Sequence, residues 1–510
     1  MRSSTPLLCC AIIAGNTLFG QSGVLDASWG TAGTTIGNYE LNSVLGSIAV
    51  QTDGKVLAAG RYYNPIIGGL AVVRYDPDGS LDDTFSGDGI ELRAVIGLQD
   101  ICGIAVQPDG KILVCGTVSD NFYLTRINTD GSTDPNFGTD GVVTLGASGS
   151  GILEAKALCL QTDGKILVAG DSDIGGAMAR FLPDGMLDPD FGSSTTPGFI
   201  TIGGIGDFTA VWDATVQPDG KILLAGQAGT PLQFVVSRFL ADGTQNDGPN
   251  FGQFGGVLLP FGTVADRASA VELQPDGKIL VAGTVFVDDI TFDFGVARLN
   301  TDGSLDQSFG SAGKATSGSP AFHETCTSMV LQPDGKILLG GYAGNGDMND
   351  LMLVRYYADG VRDNGFGTDG VVITNVQTND RGESLALQPD GKIIMGGTTY
   401  ITNEDFVLVR YLNTLTIGLV EFGTIGGSTL VYPTPLSDQA TLSYELKNPG
   451  SLSCELFDAQ GRMVRSLFSN AKRMAGSHRE TLDVSCIAAG KYTLVLSDGS
   501  GRTTVNVVKQ

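Results

Sequence analysis

The pentapeptide Gln-x-Asp-Gly-Lys begins at Gln51, Gln107, Gln161, Gln217, Gln274, Gln332 and Gln388, at steps of 56, 54, 56, 57, 58 and 56 residues. Repetition this regular confines the chain to copies of one supersecondary unit, each packed on its neighbours because none can bury a core alone. The pentapeptide joins two short apolar runs, as in Ala157-Leu158-Cys159-Leu160 before it and Ile166-Leu167-Val168-Ala169 after it. That is the pattern of a β-hairpin. The pairs Asp53-Gly54, Asp109-Gly110, Asp163-Gly164, Asp219-Gly220, Asp276-Gly277, Asp334-Gly335 and Asp390-Gly391 supply its turn. Glycine there takes the left-handed position that a side chain would strain. The runs are continuously apolar rather than alternating, which predicts strands covered on both faces.

A third strand follows and ends in arginine, placing Arg74, Arg126, Arg180, Arg238, Arg298, Arg355 and Arg410 in equivalent positions. Six of these lead into another Asp-Gly turn, such as Asp78-Gly79, and then a Leu-Asp-x-x-Phe-Gly box, such as Leu187-Asp188 to Phe191-Gly192. A fourth strand comes next, as in Gly141-Val142-Val143-Thr144. The phase of this pattern is informative. The chain opens with a box, Leu25-Asp26 to Trp29-Gly30, and a candidate fourth strand near Gly33 to Tyr39, while the last unit stops at Tyr411 without either. A closed ring resolves both deficits, because the N-terminal strand completes the seventh sheet and leaves no open edge. The expected fold is all-β: a seven-bladed β-propeller of four-stranded blades over residues 21–412, a linker at 413–428 and a small β-sandwich at 429–510.

Composition narrows the function. Glycine makes up 73 of 510 residues, about twice the roughly 7% usual in globular chains, as befits many tight turns. With 31 Lys+Arg against 55 Asp+Glu, the net charge of −24 argues against binding nucleic acid through its phosphates. Residues 1–20 combine a basic start at Arg2, an apolar stretch from Leu7 to Phe19 and a small residue at Gly20. This is the layout of a secretory signal peptide, and no later stretch is apolar enough to span a bilayer. Cys9 and Cys10 do not make a lipoprotein signal, since Leu8 stands where a small residue is expected. Six cysteines remain: Cys102, Cys115, Cys159, Cys326, Cys454 and Cys486. They are too scattered for a disulfide framework and read first as buried thiols. Cys102 and Cys115 lie on the two arms of one hairpin, where turn geometry decides whether they share a face. Cys454 and Cys486 share the C-terminal domain, where an oxidising exterior permits a bridge.

The box, the Gln-Pro-Asp-Gly-Lys hairpin and the Val-Arg-Tyr strand resemble the delta-60 repeat family across Leu25 to Tyr411. Departures are Thr133 for Leu in the third box, an insertion at Asn246 to Asn250 in the fifth, and Val361-Arg362 in the seventh. The resemblance implies a fold and no chemistry. The C-terminal segment carries Tyr432-Pro433-Thr434-Pro435, Asp458 with the turn Gln460-Gly461-Arg462, Ala475-Gly476-Ser477-His478, Ala489-Gly490-Lys491-Tyr492 and a basic end at Lys509. It resembles the C-terminal sorting domain of type IX secretion substrates in Bacteroidota, with Thr434 replacing that family's Asn. The resemblance implies export through the periplasm, the type IX machinery as a partner, removal of the sorting domain, and release or attachment to surface lipopolysaccharide.

Catalytic chemistry is mostly missing from the sequence. Of two histidines, His478 falls in the sorting segment and His323 reads as a solvated loop residue, since Glu324 and Cys326 beside it lack a second metal-binding motif. No nucleophile elbow, phosphate-binding loop or dinucleotide fingerprint is present. Asp76, Asp78 and Asp82 form a local acidic cluster. Calcium is the lesser reading for it, because the EF-hand spacing and terminal Glu are absent. The seven arginines would form a ring by symmetry. An anion-binding funnel is the functional reading. Pairing with acidic turn residues of the same or the next blade carries more weight, because every blade has the arginine whatever its loops do. By the same argument Lys55 and its equivalents are expected at solvent-facing turns. The sequence thus points to a secreted or surface-attached, non-catalytic binding or structural propeller, with an extracellular glycan or protein as its unassigned ligand. The alternative is a polysaccharide-degrading hydrolase or lyase, which needs acidic or aromatic residues converging on one face from different blades.

Overall fold

The computed structural model describes residues 22–413 apart from 38–41, 65, 147–150, 203–207, 247–250, 253–254, 263–264, 288–290, 319–322 and 345–347. It also describes 425–509 apart from 433–438, 447–448, 459–462, 486, 488–489 and 499–500. The signal-peptide segment, most of the linker, the Pro433-Thr434-Pro435 entry, the Gln460-Gly461-Arg462 turn and Cys486 lie outside the described residues.

Seven four-stranded antiparallel sheets follow one another along the chain. In the first blade the inner strand is Asn42–Val50, the second Val56–Tyr63, the third Gly68–Tyr75 and the outer strand Ile90–Ala94. The later inner strands are Leu98–Val106, Leu153–Leu160, Phe208–Val216, Arg267–Leu273, His323–Leu331 and Asn379–Leu387. Each touches the next, and the last touches the first, so the ring closes. The seventh sheet takes its outer strand from the N-terminal segment: Thr34–Gly37 pairs antiparallel with Glu404–Tyr411, Thr34 opposite Val409 and Gly37 opposite Phe406.

The second and third strands are buried nearly throughout, with Val56, Leu57, Ala58 and Ala59 fully covered. Their apolar side chains interdigitate between consecutive blades, as where Leu57, Ala59, Leu70 and Val72 meet Ile101, Ile104, Ile112 and Val114. The seam between the last and first blades is packed the same way, by Trp29, Leu45 and Val56 against Ile394, Phe406 and Leu408. The inner strands differ from expectation. They alternate buried with half-buried residues, because one side faces the axis of the ring rather than another sheet.

Every inner strand also carries a β-bulge at one position, five residues before the Gln of the pentapeptide. The register skips Gly46, Cys102, Lys156, Trp212, Ser269, Thr327 and Glu383. A bulge at a fixed place in every repeat re-aims a side chain without disturbing the rest of the ladder.

Residues from Leu415 onward form a separate compact unit. One sheet holds Ile425–Tyr432, Gln439–Leu446 and Gly476–Asp483. The other holds Met463–Arg473, Gly450–Asp458, Gly490–Asp498 and Gly501–Lys509. Leu442, Tyr444, Leu482, Leu452, Leu456, Leu494 and Leu496 from both sheets share one core, which makes the unit a β-sandwich.

Candidate functional site

The repeated polar residues assemble on one face of the ring, where the hairpin turns and boxes lie. In each of the seven hairpins the Asp side chain caps its own turn, as Asp53 Oδ1 accepts from Lys55 N at 3.1 Å, and the Gly has φ between +83° and +88°. The arginines do three things at once. Arg74 Nε donates to the box carboxylate of Asp82 at 2.5 Å, its guanidinium lies 4.7 Å from the Phe85 ring centre, and Nη1 donates to Thr129 O of the next blade at 2.6 Å. Arg126 repeats this with Asp134, Phe137 and Pro183 O, Arg180 with Asp188, Phe191 and Ala241 O, and Arg298 with Asp306, Phe309 and Ala358 O. Arg410, last in the chain, uses Asp26 and Trp29 of the N-terminal box and donates to Pro77 O of the first blade at 2.5 Å. Arg355 pairs with Asp363 and reaches Asn413, because no Asp-Gly turn follows Tyr411. In Arg238's blade the box acid is replaced by Asn246, whose amide oxygen accepts from Arg238 Nε and Nη2.

The hairpin lysines do not stand free at solvent-facing turns. Lys55, Lys111, Lys165, Lys278, Lys336 and Lys392 reach back to the same box acids, at 2.7 Å for Lys55 to Asp82. A box carboxylate bonded to a guanidinium inside the protein leaves one direction open, and the lysine fills it. Where the acid is missing, Lys221 turns to Asp219 of its own hairpin. Asp76, Asp78 and Asp82 are divided in the same way. Lys55 sits between Asp76 and Asp82, and Asp78 accepts from Ser80. Among the described residues no three acidic, His or Cys side chains converge on a cation position.

The axis of the ring carries what the repeat does not fix. At the bulge Trp212 lies between Lys156 of the preceding blade, 5.3 Å from its ring centre, and Arg267 of the following blade, 4.5 Å from it. Two residues before the bulge stand Val44, Asp100, Glu154, Ala210, Arg267, Thr325 and Arg381, one per blade. Lys156 pairs with Glu154 at 3.1 Å. Burial pushes the Glu383 carboxyl up to about 7, the charge of Asp100 adds to this, and Arg381 and Arg267 oppose it. Asp100 is reached by water yet walled in by the inner strands, so burial raises it too, against Lys156 and Arg61. Charges of blades two and five thus both act on Glu383 in blade seven. Asp213 joins two neighbouring blades instead. It accepts from Val271 N of the next blade at 2.8 Å, and burial holds it near 7. A cleft of about 220 Å³ opens beside Arg381, lined by Asn379, Thr398, Tyr400 and Glu404.

Sequence reasoning missed this axial set. The available signal was the exception to the repeat: charged or aromatic residues in inner strands whose equivalents are small or apolar. His323 is also placed differently from expectation. It begins an inner strand and packs 5.3 Å from the Phe292 ring, while Glu324 is fully buried against Ser317 and Phe294 N.

The family of "Domain of unknown function (DUF5122) beta-propeller" matches residues 51–85, 107–137, 161–191, 217–247, 274–309, 332–366 and 388–417. The "Secretion system C-terminal sorting domain" matches residues 430–510. No curated protein matches the chain. Among solved structures, a protein of unknown function from Dyadobacter fermentans is similar at 13% identity over 88% of this chain and 99% of that one, with a TM-score of 0.31. Sqt1 from Chaetomium thermophilum is similar at 9% identity over 74% and 99%, with a TM-score of 0.44. A polysaccharide lyase of family PL25, an ulvan lyase, is similar at 12% identity over 81% and 94%, with a TM-score of 0.37. Among the described residues no helix is long and apolar enough to cross a membrane. The chain belongs to the DUF5122 β-propeller family and ends in the sorting domain of type IX cargo, which directs it to the cell surface or the extracellular space.

Proposed function

We propose that the propeller is a non-catalytic binding module of the cell exterior, taking an extracellular polymer at the axial mouth opposite the turn face. The observation that carries this reading is the division of labour between the two ends of the ring. On the turn face the repeated charges are paired within and between blades, which favours a structural role for them. At the axis each blade offers a different side chain on the same bulged position, and variation on a rigid scaffold is where recognition is built. The side chains of Arg61, Arg267 and Arg381 make no ion pair or hydrogen bond among the described residues, in contrast to the seven box-linked arginines. The reading needs no calcium, and chelation is expected to leave the melting temperature unchanged.

A second reading, a hydrolase or lyase acting on polysaccharide, draws on Glu383 and Asp100, two axial carboxyls both pushed upward by burial. Incubating residues 21–422 with a polysaccharide panel and assaying both retention and soluble products separates the two. Retention without products is the expected result. New reducing ends or unsaturated products, abolished by Glu383→Gln, would establish the enzyme instead.

A further inference from the structure

We propose that the axial mouth recognises an anionic group, a carboxylate or sulfate ester on a glycan chain, through Arg267 and Arg381. This deepens the binding-module reading and rests on it. Both arginines occupy the same register position, seven residues before the pentapeptide Gln, in blades five and seven. Between them, in blade six, that position is Thr325, an uncharged residue that makes no side-chain hydrogen bond among the described residues. The geometry is thus guanidinium, hydroxyl, guanidinium on three successive blades at one height. Arg267 is braced against the Trp212 ring, which orients its donors without consuming them. Arg381 borders the cleft formed with Asn379, Tyr400 and Glu404. A guanidinium offers planar, paired donors that match carboxylate and sulfate oxygens. At the register position of the two arginines the acidic residues are Asp100 and Glu154 of blades two and three, while Glu383 of blade seven stands two residues beyond Arg381, at the bulge. A protein of net charge −24 does not adsorb polyanions through its surface as a whole, so retention by one must come from a local basic site.

The test uses the exported protein on columns of heparin, polygalacturonate and uncharged dextran at about 0.15 M salt, near physiological ionic strength. Retention on one or both anionic resins, at least tenfold weaker in R267Q/R381Q and in R381Q alone, is the expected result. R381Q keeps the test valid if the double variant misfolds, since Arg381 is exposed. Equal retention on dextran, or anionic retention that survives both variants, would overturn the anion site and leave the binding module standing. No retention on any resin or on the wider panel would count against both.

A separate observation assigns a covalent site. Cys102 is the bulge residue of blade two, and the bulge turns its sulfur to 3.0 Å from that of Cys115 on the adjacent strand, where Cys115 faces Gly103. We infer that these two thiols become a disulfide in the exported protein, where the surroundings are oxidising. The thiolate of the partly exposed Cys102 attacks a disulfide of a periplasmic thiol–disulfide oxidase and displaces one of its sulfurs. Cys115 then loses its proton and attacks the Cys102 sulfur, releasing the second. Two protons leave and two electrons pass to the oxidase, which ends as a dithiol. Denaturing alkylation without reductant, followed by peptide mass analysis, is expected to yield one Cys102–Cys115 linked peptide lacking two hydrogens. Full alkylation of both cysteines in protein isolated from the native exterior would overturn the assignment.

Discussion

At the scale of single residues, the box carboxylate is where the charged contacts of the repeat converge, since it holds both the strand arginine and the hairpin lysine. Burial alone would raise the Asp134 carboxyl, but hydrogen bonds from Lys111, Asn136 N and Arg126 outweigh it and hold it at about 2. A lowered carboxyl contributes stability above its ordinary 3.8 and loses it as pH falls through the folded value. Asp134→Ala leaves Arg126 buried without its anion and is expected to cost about 3 kcal/mol in urea unfolding. The fourth blade offers the reverse experiment. Asn246→Asp returns the missing charge to Arg238 and Lys221, and a rise of about 1 kcal/mol is expected. Glu324 behaves oppositely. Burial raises it from 4.5 to about 7 against the help of Ser317 and Phe294 N. Its contribution is present below 4.5 and is lost as pH rises through 7, so folding is expected to be firmest under mildly acidic conditions. Glu324→Gln should melt close to wild type at pH near 5 and several degrees above it at pH near 8, on the order of 1–3 kcal/mol. Equal effects at both pH values would show that Glu324 is not the titrating group.

At the scale of the element, the turn glycines Gly79, Gly185, Gly243, Gly303 and Gly360 each lie against the box aromatic of the blade before. Gly79 has φ +88°, and an added Cβ would lie 2.9 Å from the Trp29 indole and 2.7 Å from Gly30 N. Gly87 has nearly the same φ, +89°, with open space around it. Both Ala substitutions carry the strain of a left-handed residue, about 1 kcal/mol. Gly79→Ala also pushes two blades apart, and its cost is expected to exceed that of Gly87→Ala by about 2 kcal/mol. The hairpin turns, the arginine strands and the missing fourth strand were legible in the sequence because each depends on residues close together or on counting repeats. The lysine-to-box contact was not, since Lys55 and Asp82 are joined only through the fold. The bulge was not legible either. It is defined by two residues of one strand facing a single residue of the next, and apolar content does not reveal which strand faces the axis. For that reason nothing in the repeat pattern groups Trp212, Arg267 and Glu383, which the fold brings to the axis.

At the scale of the whole ring, closure is a property that no single blade contains. The N-terminal segment contributes four elements of the seam. Thr34–Gly37 fills the outer edge of the seventh sheet, and Asp26 and Trp29 receive Arg410. Gly30 N donates to Asp78 O, and Ser22 O accepts from Gly367 N where the seventh blade lacks a turn. The same donor position in other blades, Gly138 to Asp184 O or Gly192 to Asp242 O, shows that the two chain ends rebuild an ordinary contact between blades. Removing residues 21–41 therefore exposes the edge of Glu404–Tyr411, uncovers the core around Ile394 and Phe406, and leaves Arg410 buried without an anion. A fall in melting temperature of about 10 °C or more, or loss of soluble protein, is the expected outcome. Removing residues 415–510 is the matched control, because that sandwich has its own core. The shortened propeller should melt within about 2 °C of the same transition in the full chain. If the two truncations lowered the melting temperature equally, stability would reside in the pairing of the two units. If the N-terminal truncation had no effect, the seven blades would hold their ring by packing alone, and the final strand would serve only to cover an edge.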